Sequence, residues 1–124
     1  MNLKIIPGDY SVCKLPSNST IPMWALESPF FTVSKTDDEL SIACESRYIK
    51  DQPEAENNFS LIKVIGPLDF NLTGILTSLC TPLSEAKISV FVVSTFDTDY
   101  LLIKQEKIEQ AQNVLIESGF SFIQ

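Results

Sequence analysis

Phe59-Ser60-Leu61-Ile62-Lys63-Val64-Ile65-Gly66-Pro67 is a short apolar, β-rich run that stops at a Gly-Pro pair, which reads as a strand followed by a turn. From Leu72 the apolar residues fall at Ile75, Leu76, Leu79, Cys80 and Leu83, the spacing of one helix face, with Asp69 or Asn71 available as an N-cap. Pro82 sits inside this pattern, where it removes a backbone donor, so a kink or break is expected near Leu79. Ile88 to Thr95 is β-branched and predicts a strand with Ile88, Val90 and Val92 on one face and Phe91 and Val93 on the other. Phe96-Asp97-Thr98 turns the chain into a hairpin partner at Asp99 to Lys104. Glu106 to Ser118 reads as a second helix capped by Gly119, and Phe120 to Ile123 as a closing strand. Residues 59–124 therefore predict a β-α-β-β-α-β unit, an antiparallel four-stranded sheet with both helices on one face.

Outward from that unit, the first half repeats the order more weakly. Tyr10 to Leu15, Phe30 to Val33 and Glu39 to Cys44 read as strands, Thr20 to Leu26 as at most a short helix, and only a vestigial second helix is possible. Ser46 to Asn58 is polar and reads as a surface turn or linker, which places the module boundary between residues 58 and 59. Helices can cover only one face of a small antiparallel sheet, so the apolar second face of Ile88 to Thr95 implies another module or chain packed against it.

Composition removes whole classes of function. A formal charge of -7 with no Lys/Arg stripe opposes phosphate backbones, so neither nucleic acid nor an anionic membrane is an expected partner. With no His in the chain, Ser-His and Cys-His nucleophile pairs, His-ligated zinc and His acid/base chemistry are excluded, and the protein is not expected to be an enzyme. Cys13, Cys44 and Cys80 are odd in number and lie among apolar neighbours, which suits buried thiols and suggests no metal site or cofactor. Asn18, Asn58 and Asn71 each begin an Asn-X-Ser/Thr triplet, read as chance. The start of the chain lacks a long apolar segment, and a cytoplasmic protein is expected.

Chemistry converges on two loops. The turn after the first strand leads to a helix N-terminus near Leu72-Thr73-Gly74-Ile75, whose free amides can hold a carboxylate, and Gly74 permits close approach. Across the hairpin, Asp97 and Asp99 could hold an ammonium or guanidinium group. Donors for an acid beside acceptors for an amine describe an amino-acid site. Taken singly, Asp97 and Asp99 are ordinary turn residues, Gly74 a helix-packing position, and Phe70 and Phe96 core or rim packing.

Gly66-Pro67-Leu68-Asp69-Phe70-Asn71-Leu72-Thr73-Gly74-Ile75-Leu76, then Pro82-Leu83 and Ile88 through Tyr100, resemble the small tandem ACT-domain proteins, relatives of the aspartate kinase regulatory region and of the cytosolic arginine sensors. Tyr10 to Pro16, Trp24 and Glu39 to Ile42 resemble that family's degenerate first module. The resemblance implies an α+β fold of tandem ACT modules, ferredoxin-like βαββαβ with antiparallel sheets, comprising a degenerate module at 1–58 and a complete one at 59–124. It also implies allosteric amino-acid binding at a module or subunit interface, mapped by position onto Asp69, Leu72, Thr73, Gly74, Ile75, Thr95, Phe96, Asp97 and Asp99. Having two modules where the arginine sensors have four, the chain would complete such a site as a homodimer and pass its signal to a separate protein target. The alternative is a ligand-free dimerisation or protein-interaction module on the same fold.

Overall fold

A computed structural model describes residues 1–50 and 52–124; Asp51, within the polar stretch read as a linker, lies outside the described residues. The chain divides into two compact units, an N-terminal one, Gly8–Phe59, and a C-terminal one made of Met1–Pro7 together with Ser60–Gln124. The grouping differs from a single cut between residues 58 and 59 because the first seven residues lie with the second half.

The first strand, β1, runs Asn2–Leu15, and its residues from Gly8 onward belong to the N-terminal unit. The strand begins eight residues before the expected start at Tyr10, running through Pro7-Gly8, a pair that locally signals a turn. There follow helix α1 (Met23–Glu27), strand β2 (Phe31–Lys35) and strand β3 (Leu40–Glu45). Pro22 stands at the N-cap of α1 and supplies no side-chain cap, which fits a helix of only five residues. The vestigial second helix is a single 3-10 turn at Ser46–Tyr48. Strand β4 (Ala55–Val64) begins inside the segment expected to be a linker. Its polar start is held by partners: Lys14 N–H donates to the Glu54 carbonyl at 3.0 Å, and Ser11 Oγ donates to Asn57 Oδ1 at 2.8 Å. Within this unit the strands lie in the order β2-β3-β1-β4. Alternating residues Cys13, Leu40, Ile42 and Cys44 turn to one face, where they bury Ala25 of α1.

The C-terminal unit continues with helix α2 (Ile75–Glu85), strands β5 (Phe91–Ser94) and β6 (Asp99–Lys104), helix α3 (Ile108–Glu117) and strand β7 (Ser121–Ile123). Ile62 and Val64 of β4 and Leu101 and Ile103 of β6 meet Leu79 and Leu83 of α2 and Ala111 and Leu115 of α3 in one buried core. Ten buried residues form this core, and all but Ala111 are Leu, Ile or Val at roughly 1.5–3 kcal/mol each, the main favourable contribution to this unit. The strand order is β7-β1-β4-β6-β5. The sheet is therefore not wholly antiparallel: β7 pairs with β1 in parallel register, Leu3 opposite Phe122, where a four-stranded split βαβ sheet would place β4. Leu3, fully buried, and Ile5 extend the apolar face under the helices, which is the physical reason that the opening residues are drawn into this unit.

Pro82 does not break α2, which runs unbroken from Ile75 to Glu85. Nor does Asp69 or Asn71 cap it: Gly74 is the N-cap, in the left-handed region at φ 81, a conformation that costs a side-chain-bearing residue roughly 1–2 kcal/mol. β5 is shorter than expected, Val90 and Val92 pack on the helix side, and Phe91 stays 38% exposed. No helix of the described residues is long and apolar enough to cross a membrane.

Lys87 follows α2 at φ 61, with its N–H donated to the Ser84 carbonyl and Ile88 N–H to the Leu83 carbonyl, the wrap that usually ends on glycine. Lys87→Gly is expected to raise stability by roughly 0.5–1 kcal/mol in urea unfolding, the relieved strain exceeding the added unfolded-state entropy. Burial, with smaller contributions from Cys13 and Glu45, pushes the Cys44 thiol from 9.0 up to about 12. The folded chain then keeps a proton that the unfolded chain releases, so this contribution to stability is complete below pH 9 and lost as pH rises toward about 12. Urea unfolding at pH 8, 10 and 11 is expected to show that decline, and Cys44→Ala to flatten part of it. Cys13, Cys80 and Tyr10, also raised chiefly by burial, keep the remainder.

Candidate functional site

The turn after β4 and the β5–β6 hairpin are joined by backbone. Leu68 N–H donates to the Asp97 carbonyl at 2.6 Å, and the hydroxyl of buried Thr98 donates to the Val64 carbonyl at 2.5 Å. Gly66 is what lets the two loops approach this closely: a Cβ there would lie 3.0 Å from Leu68 N, 3.1 Å from the Asp97 carbonyl oxygen and 3.2 Å from Thr98 Cβ. The hairpin tip is closed on itself by Thr95, whose N–H and hydroxyl both donate to the Thr98 carbonyl.

Between these loops and the start of α2 lies a cavity of about 310 Å³. Asp69, Leu72, Gly74 and Ile75 line it from the turn and helix side, and Thr95, Phe96, Asp97 and Asp99 from the hairpin. Thr73, exposed, is the one anticipated residue not among those lining it. Leu68, Phe70, Leu76, Thr77, Ser94 and Thr98 also line it and were not anticipated there. Ser94 is brought in by the register of the folded hairpin, which sets it opposite Asp99.

Each wall has its own chemistry. The first intrahelical bond of α2 runs from Ser78 N–H to the Gly74 carbonyl, which leaves the amides of Ile75, Leu76 and Thr77 ahead of it without a helical acceptor. All three residues line the cavity, and the helix dipole adds a partial positive charge there. Asp69 is engaged in its own turn, with Oδ1 accepting from Asn71 N–H at 2.8 Å. Asp99 Oδ1 accepts from Ser94 Oγ at 2.5 Å, which fixes one carboxylate oxygen across the hairpin. Three Asp and no Lys or Arg line the cavity, so it carries net negative charge beside the amide donors. At its rim, Phe70 and Phe96 meet edge to face at 4.8 Å between centroids while remaining 73% and 78% exposed, rim residues rather than core. Below it, burial and then Asp99 push the Cys80 thiol upward, which makes it a poor nucleophile. Among the described residues, no three potential metal-ligating side chains cluster.

A family model described as an ACT domain matches residues 54–117, and a second model, described as an N-terminal domain, matches residues 8–52. No curated protein sequence matches. Among solved structures, protein Atu0741 of Agrobacterium tumefaciens is similar at 38% identity and a TM-score of 0.92, covering 98% of this chain and 91% of that one. A Vibrio cholerae protein of unknown function, VC0802, described as a possible transport protein, is similar at 22% identity and a TM-score of 0.76, covering 94% of this chain and 88% of the other. The ligand-free regulatory subunit of aspartate kinase from Thermus thermophilus shares the fold at 7% identity and a TM-score of 0.62, covering 90% of this chain and 91% of that subunit. With the βαββαβ order, the helix-terminus cavity and a family match over more than half its length, this chain belongs to the ACT-domain family.

Proposed function

We propose that this protein is a non-catalytic regulatory protein that binds a small amino acid in the cavity between the turn after β4 and the β5–β6 hairpin, and acts allosterically on a separate target. The observation that carries the reading is the pairing, in one cavity of about 310 Å³, of the unpaired first-turn amides of α2 with the Asp97 and Asp99 carboxylates. Amides at a helix start favour a carboxylate, and aspartates favour an ammonium, so an α-amino acid satisfies both walls at once. The volume is at the small end of ligand cavities and suits a metabolite rather than a large cofactor. Aspartate kinase regulatory subunits of the same fold support a regulatory role in kind. The reading includes a homodimer, for which the exposed Phe91 on the edge strand β5 offers apolar surface. It places the protein in the cytoplasm, where the free thiols of Cys13, Cys44 and Cys80 would stay reduced.

A second reading follows from the exposed Phe70 and Phe96 rings: a ligand-free module that uses this rim, or the β5 edge, to dock a protein.

The two part in one experiment. Thermal melting with each of the twenty amino acids at millimolar concentration is expected to show a rise of several degrees for at least one, abolished by Asp99→Ala, since a ligand specific for the folded state stabilises it by mass action. No response to any of the twenty would remove the amino-acid reading. Loss of self-association in Phe91→Ser or Val93→Ser, with Asp99→Ala silent, would favour the docking module.

A further inference from the structure

The two units build their central hairpins on one turn. In the N-terminal unit, Thr36 N–H donates to the Glu39 carbonyl at 3.0 Å and Glu39 N–H donates back to Thr36 Oγ1 at 3.2 Å. In the C-terminal unit, Thr95 N–H donates to the Thr98 carbonyl at 2.8 Å and Thr98 N–H donates back to Thr95 Oγ1 at 3.3 Å. The shared bonding makes positions in the two hairpins correspond. The residue before each threonine ends one strand and faces the first residue of the next: Lys35 opposite Leu40 in one unit, Ser94 opposite Asp99 in the other.

At that position the chemistry differs. Lys35 Nζ donates to the Ser17 carbonyl at 3.0 Å, so the N-terminal unit supplies its own ammonium to the loop that follows its first strand. Opposite Lys35 stands Leu40, 1% exposed, where no charge could receive a second cation. In the C-terminal unit the lysine is replaced by Ser94, too short to cross. The carboxylate of Asp99 stands opposite, and both line the cavity that reaches the corresponding loop, with Asp69 and Asp97 beside them and no lining cation.

We infer that the cavity is an ammonium site: the place that the N-terminal unit fills with its own lysine is left open in the C-terminal unit for the ammonium group of a ligand. The N-terminal unit is thus self-occupied, and the chain takes one ligand. This rests on reading the cavity as an amino-acid site and names the group that Asp99 and the loop receive.

The test writes the N-terminal solution into the C-terminal unit. In low salt, Ser94→Lys is expected to melt roughly 1–4 °C above Ser94→Met, with at least half of that gap lost when Asp99→Asn is added to both. The Asp99→Asn arm separates a specific pairing from the general relief that any added cation gives a chain of net charge -7. Ser94→Lys melting at or below Ser94→Met, or a gap indifferent to Asp99→Asn, overturns the inference without any ligand being known. Any of the twenty amino acids that raises the melting temperature of the native chain is expected to leave Ser94→Lys unmoved, with calorimetry giving one site per native chain. An amino acid that shifts Ser94→Lys equally, or two sites per chain, overturns it. Silence from all twenty sinks the amino-acid reading alone, and the melting comparison still decides the ammonium site.

Discussion

The hydrogen bond from Leu68 N–H to the Asp97 carbonyl is the constraint on which the candidate site depends. It ties the turn after β4 to the tip of the β5–β6 hairpin, and the Thr98 hydroxyl, buried and donating to Val64, locks the same two segments one step further in. A buried hydroxyl without that acceptor would cost roughly 1–3 kcal/mol, so the pair acts as a latch rather than a passing contact. With the loops latched, the amides at the start of α2 and the carboxylates of the hairpin border one cavity. Gly66 makes the latch possible by having no side chain at the crossing.

The two units use one topology with unequal means. Both run strand, helix, strand, strand, helical segment, strand, yet the N-terminal unit has a five-residue α1 and a single 3-10 turn where the C-terminal unit has helices of 11 and 10 residues. The core follows the helices: five buried residues form the N-terminal cluster and ten the C-terminal one. The segment Met1–Pro7 adds Leu3 and Ile5 to the larger core, so the C-terminal unit needs residues from both ends of the chain. The cavity follows the same asymmetry: α2, of 11 residues, sets its first-turn residues beside it, whereas α1 has only five residues and begins on Pro22.

Local pattern carried much of this. The strand, helix and hairpin from Phe59 to Lys104 were legible because each has a clear local pattern and a clear stop: an apolar, β-rich run ending at Gly66-Pro67, a helix face from Ile75 to Leu83, and a β-branched run ending at an Asp-rich turn. Of the residues that line the cavity, Gly74, Asp97 and Asp99 were legible where two loops converge, and Asp69 joined them through the family resemblance. Ser94, Leu76 and Thr77 were not, since reading them needs the register of β5 on β6 and the rotation of α2 about its axis.

By itself, the sequence determined the α+β class, the repeated strand-helix order, the acidic balance and the absence of any His chemistry, all of which depend on composition and on periods shorter than a dozen residues. Tertiary structure alone decided that Asn2–Leu15 runs as one strand past Pro7-Gly8, that β7 pairs in parallel with β1, and that Gly74 caps α2. The physical reason is common to these. Each is settled by partners far away in the chain, an open sheet position for β1, a buried apolar face for Leu3 and a latched hairpin for the turn before α2, and such partners override what a local Pro, Gly or Asp signals on its own.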